Sequence, residues 1–477
     1  MSARYLTTTL PYVNSDPHIG FALELVQADA LVRSWRLQGD EVFFNTGTDE
    51  HGQKIFEAAK KAGKGVQEYV DHYAGEFRKL KEELNLDNPT FIRTTDEKHV
   101  KAAQEMWKRC DASGDVYQKE YEGLYCVGHE AFLTEKDLVG GKCPDHGVAP
   151  QVLKEKNYFF RFKNYERYLL EYLEQPGVIV PEWRRQEAIN FVKGGLEDFS
   201  ISREKERLTW GIPVPNDDSQ VMYVWFDALT NSISAFGWPE EEGDFKKFWT
   251  EGKTLQVAGK DQLRFQSLIW QAMLKSAGIK ATDAVFYHGF ITSDGRKMSK
   301  SLGNVISPYE LVQKYGTDAT RYMLLRHVNP SEDSDVTWER LDEWYTANLT
   351  NGLGNLVARV MKLAEDHLDE PASIPENSAF TSPGYMAEVG RFKFADVMDG
   401  IFHGIANTDL NMTEWAPFRE IKNPETADHA RESIQKLVQQ LSKIAWDLKW
   451  SMPSTSAKIL AAISENKKPE NLFPRLP

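Results

Sequence analysis

The stretch Gly295-Arg296-Lys297-Met298-Ser299-Lys300-Ser301-Leu302-Gly303-Asn304 sets two lysines around a small serine, on a loop that follows an apolar run. An ammonium on a flexible four-carbon stem is a mobile point charge, and two of them on one loop suit a triphosphate. A second candidate for anion binding lies near the N-terminus. There Val13-Asn14-Ser15-Asp16-Pro17 is turn chemistry, and His18-Ile19-Gly20-Phe21 opens a run with Ala22, Leu23, Val26 and Ala30 at helical spacing. His18 therefore falls at a helix start, where unsatisfied N–H groups and the helix dipole favour an anion. The same residues equally suit a plain capping loop.

Asp49, in Thr46-Gly47-Thr48-Asp49-Glu50-His51-Gly52, follows a strand-like run from Glu41 to Asn45. At the carboxyl end of a parallel strand it could hold an ammonium group, or it could cap a helix. Cys126-Val127-Gly128-His129 and Cys143-Pro144-Asp145-His146 form two knuckles of the CxxH type in Gly- and Asp-rich loop sequence. Their paired spacing fits a tetrahedral zinc site, and surface histidines are the alternative. Gln262 and Gln266 lie one turn apart at the start of a helix whose apolar face is Leu263, Leu268, Ile269, Ala272 and Met273. They read as a pair of amides facing a ligand or as solvated glutamines.

Most of these residues sit where one element type gives way to another. Arg4 to Thr9 reads as a strand that ends at Leu10-Pro11-Tyr12. Charged helical sequence is expected from about Gln53 to Arg109, an aromatic strand from Asn157 to Phe162, and helix again through Tyr172. Val221-Met222-Tyr223-Val224-Trp225-Phe226-Asp227-Ala228 reads as a fully buried strand ending in a loop, and Leu255 to Ala258 as another before Gly259-Lys260-Asp261. Ala284 to Ile291 is a further apolar strand, turned by Ser293-Asp294-Gly295 into the lysine loop. Helices are expected over Pro308 to Lys314 and Ala319 to Arg326, and from about Trp338 onward the sequence is amphipathic helix with no strand signal.

A chain of 477 residues, 41% hydrophobic and 27% charged, has room for about three domains with sizeable cores. Three cysteines, an odd number, argue against a secreted disulfide framework and for a reducing compartment. The N-terminus carries no apolar signal segment and no 18-residue apolar run occurs, so the expectation is a cytoplasmic protein without membrane spans. A net charge of −14 excludes bulk electrostatic coating of nucleic acid, so any polyanion must bind at particular sites.

The histidine at a helix start and Lys297-Met298-Ser299-Lys300-Ser301 together resemble the two signatures of the class I aminoacyl-tRNA synthetases. With LPYVNSDPHIG, TGTDEHG, MYVWFDAL, GKD and the two knuckles, the chain resembles the methionyl-tRNA synthetase family over nearly its whole length. The resemblance implies an α/β fold: a Rossmann-type parallel-sheet catalytic domain split by a connective zinc-knuckle insertion, then an all-α anticodon-binding bundle. On this chain those parts correspond to residues 1–115 and 199–337 for the catalytic halves, the second carrying the lysine loop and a linking fold. The insertion is 116–198 and the helical domain 338–477.

The implied chemistry is ATP-dependent activation of L-methionine to methionyl-adenylate, with Mg2+, followed by transfer to tRNA(Met). Positioning and charge neutralisation dominate such a reaction. His18 and Gly20 would bind phosphates, while Lys297, Ser299 and Lys300 would close over ATP and stabilise the leaving pyrophosphate. Asp49 is implied as the ammonium partner. Leu10, Tyr12, Trp225, Ala228 and Leu229 are implied as walls for the thioether, with Arg203 nearby. Asn355 and Arg359, one turn apart, match the anticodon-reading helix, and Trp415 or Phe418 would supply a stacking platform. The family's appended tRNA-binding and dimerisation domain is not seen after Ile459, which leads to the expectation of a monomer.

Several positions depart from the common family pattern. Phe21 stands where a second histidine is usual, Ser232 replaces a frequent tyrosine, and Gln262 and Gln266 replace a frequent isoleucine and histidine. His129 stands where a zinc cysteine is usual, giving a Zn2+ set of Cys126, His129, Cys143 and His146. Two other readings compete. One is another class I synthetase or a nucleotidylyltransferase. The other is a synthetase-derived RNA-binding protein without catalysis, against which intact His18, Asp49, Trp225, Lys297 and Lys300 speak.

Overall fold

The computed structural model describes residues 2–128, 131–133, 135–145, 147–298, 303–376 and 380–476, with backbone only for Tyr121, Ala131, Phe132, Lys136, Leu153 and Lys297. The chain forms two compact units, one of residues 1–17, 42–79 and 88–288, the other of residues 18–41, 80–87 and 289–477. No described helix is long and apolar enough to cross a membrane.

The first unit is built on a six-stranded sheet. Its first two strands in the chain are β1 (Ala3–Thr8) and β2 (Glu41–Thr48), with β3 (Thr90–Arg93) at one edge. The order runs β3, β2, β1, then Lys253–Gly259, Ala284–His288 and Ile179–Val180. β1 pairs in parallel with Lys253–Gly259, which pairs in parallel with Ala284–His288, and β2 pairs in parallel with β3. These strands are mostly buried along their length, as a sheet covered by helices requires. Polar side chains stitch the centre: Thr8 donates to Thr46 at 2.8 Å, and Asn45 Nδ2 donates to Thr7 at 3.1 Å. Tyr5, Met106, Phe226, Trp249, Trp270 and Tyr287 are fully buried in the surrounding core, with Trp107 nearly so.

An antiparallel sheet is inserted in the same unit. Val116–Cys126 pairs with Gln151–Phe160 from Val116 opposite Phe160 to Tyr125 opposite Gln151, with Ala131–Leu133 on one side and Phe199–Ser200 on the other.

The second unit is mainly helical. The helix α1 (Ile19–Leu37) is buried on most sides and packs on Thr317–Arg326 and Pro383–Val389. Ala427–Asp447 packs against Asn355–His367, Phe394–Trp415 and Pro453–Glu465, so the expected helical bundle is present. Among the described residues beyond Trp338 there is no strand.

Three expectations about elements are corrected. The apolar run from Val221 is strand only through Met222, and Val224–Leu229 is a helix, because a short buried run carries no periodicity that separates the two. The expected strand from Ala284 to Ile291 is two strands, broken at Gly289, where a Cβ would lie 2.1 Å from the Glu332 carbonyl carbon. β3 interrupts the helical stretch from Gln53 to Arg109.

Candidate active site

In the first unit Asp49 ends the β2 segment and pairs with the segment after β1. Its N–H donates to Pro11 O at 3.0 Å and its carbonyl accepts from Val13 N at 3.3 Å, which sets Tyr12 and Asp49 side by side. The carboxylate is 1% exposed. The helix Gln53–Lys61 is capped by Gly52, with φ 102°, so Asp49 is not its cap. The loop behind it is anchored by Glu50, whose carboxylate accepts from Arg93 at 2.7 and 2.8 Å and from Thr48 and Thr95. Its backbone carbonyl accepts from Trp210 Nε1 at 2.6 Å.

The Tyr12 ring meets the Trp225 indole edge-on at 6.0 Å, and Trp225 stacks on Phe265 at 4.0 Å and 16°. Leu10, Tyr12 and Trp225 are half-buried, while Ala228 and Leu229 are buried on the helix that starts at Val224. Arg203 sits on Ser202–Glu204, opposite Val221, and is 3% exposed. It donates to Ser200 Oγ at 2.9 Å and Ser202 O at 2.7 Å, and its guanidinium lies over the Tyr125 and Tyr223 rings.

The two glutamines differ in burial. Gln266, in the π-helical turn Phe265–Ile269, is 7% exposed, and its Oε1 accepts from Gln256 Nε2 at 2.6 Å. Gln262 is half-buried, donates to Asp261 at 3.1 Å, and keeps its buried Oε1 without a hydrogen bond to any described residue.

Sequence reasoning passed over a titratable cluster behind this wall. Asp227, fully buried, has Oδ2 3.3 Å from His51 Nδ1 and Oδ1 3.7 Å from His99 Nε2, and His99 Nδ1 lies 2.9 Å from Ser234 Oγ. Burial pushes the Asp227 carboxyl up, but His51 and then His99 outweigh it and hold it below the usual carboxylate range. The available signal was an acid inside the apolar run VWFDAL.

In the second unit His18 is the N-cap of α1, and its Nδ1 accepts from Gly20 N at 3.1 Å. An acceptor Nδ1 puts the ring proton on Nε2, so the imidazole is a donor at its outer nitrogen. Glycine at 20 lets the ring fold back, since a Cβ there would sit 3.0 Å from His18 Cε1. The Ile19 N–H donates to Ile306 O at 3.0 Å, joining the start of α1 to the segment after the lysine loop. That loop leaves a hairpin of Ile291–Ser293 with Arg296–Lys297, turned by Asp294 at φ 55° and Gly295 at φ 68°. Asp335 Oδ1 accepts from Gly295 N at 2.7 Å and Thr292 Oγ1 at 3.1 Å. Ser299 and Lys300, like the Lys297 side chain, lie outside the described residues.

Of the knuckle residues, Cys126 closes the strand Val116–Cys126 and Cys143 heads a tight turn, with Gly147 N donating to Cys143 O at 2.8 Å and Cys143 N to Val148 O at 2.9 Å. His129 and His146 lie outside the described residues. Both thiols are buried, at 1% and 0% exposure, although Val139, Val148 and Val152 beside them in sequence are exposed. A subregion that leaves its valines in water yet buries both cysteines fits one closed by a metal rather than by a core.

In the helical bundle Asn355 is exposed at the start of Asn355–His367, and Arg359, one turn on, pairs with Asp409 at 2.7 Å. Trp415 ends Phe394–Trp415 half-buried, and Phe418 follows the left-handed Ala416 with the Arg419 guanidinium 5.5 Å over its ring.

Comparison with known proteins matches this arrangement to one family. The family model described as tRNA synthetases class I (M) matches residues 4–151 and 146–361. The methionine–tRNA ligase of Fusobacterium nucleatum is 38% identical over 481 residues, covering 98% of this chain and 75% of the relative. That of Rickettsia bellii is 36% identical, covering 99% of this chain and 94% of its own. Among solved structures, Mycobacterium tuberculosis methionyl-tRNA synthetase in complex with methionyl-adenylate superposes with a TM-score of 0.89 at 34% identity, over 99% of this chain and 98% of that one. With the family model covering most of the chain and relatives of one kind matching it nearly end to end, the chain belongs to the methionyl-tRNA synthetases of the class I tRNA synthetase family.

Proposed function

We propose that the chain joins the carboxylate of L-methionine to the α-phosphorus of ATP, releasing pyrophosphate, and then transfers the methionyl group from methionyl-adenylate to the terminal adenosine of tRNA(Met). The observation that carries this reading is the buried carboxylate of Asp49 beside the Tyr12–Trp225 corner, in a chain that belongs to this family. A buried carboxylate favours the ammonium group of an amino acid beside it, and an aromatic and aliphatic wall suits a polarizable thioether.

In the first step a carboxylate oxygen bonds to the α-phosphorus while the bond to the bridging oxygen breaks, and the electron pair departs on pyrophosphate. No proton need move, so the protein's task is orientation and charge stabilisation. Asp49 fixes the ammonium group, Leu10, Tyr12, Trp225, Ala228 and Leu229 enclose the side chain, Gln262 and Gln266 border it, and Arg203 contributes fixed positive charge. His18 donates from Nε2 to a phosphate oxygen, Gly20 admits the close approach, and Lys297, Ser299 and Lys300 take up the charge that develops on pyrophosphate. Mg2+ enters as the ATP complex.

Cys126, His129, Cys143 and His146 would hold Zn2+, which when bound supplies a structural cross-link between the two turns. Asn355, Arg359, Trp415 and Phe418 read the anticodon. In domain terms this is a catalytic region of 1–115 and 199–337 around an insertion at 116–198, followed by an anticodon-binding region at 338–477.

Amino-acid-dependent ATP–pyrophosphate exchange across the full amino-acid set tests the reading. Methionine alone should support exchange. Exchange with a different amino acid overturns the substrate, and none with any overturns the enzyme. Replacing the CAU anticodon should sharply reduce charging, whereas unchanged charging removes Asn355 and Arg359 from the reading. Elemental analysis should find about one zinc per chain, lost in Cys143→Ala; a metal-free wild type ends the zinc assignment.

A further inference from the structure

The strand Val116–Cys126 belongs to the inserted sheet, yet Tyr125 near its end is 2% exposed and lies outside the apolar core around Tyr5 and Trp249. Its ring meets two cations. The Arg207 guanidinium lies over it at 4.3 Å and that of Arg203 at 5.3 Å, both within the roughly 6 Å reach of a cation–π contact.

The two cations differ in what else holds them. Arg207 pairs with the carboxylate of Glu155 and donates to Gln53 Oε1 at 2.5 Å, on the helix that follows the Asp49 loop. Arg203 donates from Nη1 to Ser200 Oγ and Ser202 O, both uncharged, so these two bonds orient the guanidinium without neutralising it. Its second ring is Tyr223, at 4.6 Å. Tyr223 stands two residues before Trp225, and its N–H donates to Ile201 O at 2.8 Å, which ties the Arg203 strand to the start of the pocket helix. A guanidinium is planar and weakly hydrated, so aromatic faces can hold it in a buried place and leave its charge intact.

We propose that Tyr125 is a positioning residue for the adenylate-forming step: its ring, with that of Tyr223, fixes the Arg203 guanidinium where positive charge is needed. The inference rests on the proposed role of Arg203 as fixed positive charge in that step. It gives the inserted sheet a part in the chemistry, because Tyr125 lies within the insertion and Arg203 follows it in the chain. A charge held in place acts most where charge develops in the transition state, so loss of the ring is read in kcat rather than in KM.

The test is methionine-dependent ATP–pyrophosphate exchange in the wild type, Tyr125→Phe, Tyr125→Leu, Arg203→Ala and the double variant Tyr125→Leu with Arg203→Ala. Phenylalanine keeps the aromatic face, and leucine keeps an apolar side chain without one. Tyr125→Phe should hold kcat within about twofold of wild type, and Tyr125→Leu should lower it by about tenfold with KM for methionine and for ATP little changed. Once Arg203 is alanine, Tyr125→Leu should cost nothing further. A tenfold loss that persists without Arg203, equal losses in Tyr125→Phe and Tyr125→Leu, or wild-type kcat in Tyr125→Leu overturns the proposal. If Tyr125→Leu does not fold, phenylalanine with rising ring fluorination at position 125 decides the matter. There kcat should fall stepwise as the ring face loses electron density, and a flat series overturns the proposal. The reading beneath it fails separately, when the wild type shows no methionine-dependent exchange or Arg203→Ala keeps full activity.

Discussion

His18 caps α1 and, in the reaction proposed above, donates to a phosphate oxygen, and a single substitution can separate the two. As N-cap of α1 it satisfies the Gly20 N–H through Nδ1, and that bond keeps the proton on Nε2, facing outward as a donor. Asparagine accepts equally well at an N-cap but brings no imidazole donor. We expect His18→Asn to keep the melting temperature within a few degrees, roughly the effect of less than 1 kcal/mol, while ATP–pyrophosphate exchange falls by on the order of 100-fold. A loss of stability matching the loss of activity would reduce His18 to a cap. Asp227 poses the opposite case, a buried charge whose worth is structural. Asp227→Asn keeps the shape and removes the carboxylate between His51 and His99, leaving each buried ring nitrogen without its carboxylate neighbour. Urea unfolding should show a loss of about 2 to 3 kcal/mol, and an unchanged midpoint would mean that neither histidine is held by it.

At the scale of elements, β2 and β3 approach each other through a glycine. Gly47 is the register partner of Ile92, and a Cβ at 47 would lie 1.8 Å from the Ile92 carbonyl oxygen. Since backbone cannot yield as a side-chain tip can, Gly47→Ala should cost about 3 kcal/mol or more, read as a lowered thermal midpoint, with Gly47→Ser no better. The end of Thr317–Arg326 makes a pH-dependent joint. His327 stacks on Trp344 at 4.4 Å and 8°, and its Nε2 lies 3.0 Å from Tyr322 Oη. Burial, then the neighbouring Arg326 charge, pulls its pKa down to about 4 from an ordinary 6.5. The unfolded chain thus binds this proton first as pH falls, so the contribution is whole above pH 6.5 and is lost between 6.5 and about 4. The loss should be about 2 kcal/mol after allowance for solvent screening, and His327→Phe, which keeps a stacked ring, should remove that segment of the pH–stability curve.

For the whole molecule, legibility in the sequence followed chain distance. β1 and the start of α1 were readable within a residue because turn and cap signals are local, whereas β3 vanished into a helical stretch and Val224–Leu229 read as strand because buried runs show no period. The buried hydrogen bonds that join Ser232, Gln256, Gln266, Gln271 and Thr282 were invisible because these residues meet only after folding. The same is true of the joint that holds the second unit together from three separate segments. Asp29 on α1 and Arg321 on Thr317–Arg326 form an ion pair at 2.7 Å, both wholly buried. Asp29 also accepts from Arg33 Nε at 2.7 Å and Asp87 N at 2.5 Å, while Arg321 donates to Leu84 O at 3.0 Å and Ser451 O at 2.7 Å. One charge pair thus ties the three segments with most of its donors and acceptors satisfied. Asp29 is the counter-charge of both Arg321 and Arg33, so Asp29→Asn, which strands them, should destabilise the second unit by about 3 to 5 kcal/mol. Replacing both with apolar residues, Asp29→Leu with Arg321→Met, should cost clearly less than the two single changes added together. A double-mutant cycle by urea unfolding measures the difference, and strict additivity would show that the two charges do not depend on each other. Because Arg33, Asp87 N and the Leu84 and Ser451 carbonyls keep polar atoms in the same pocket, the double variant should remain below wild type, separating a joint held by geometry from one held by charge alone.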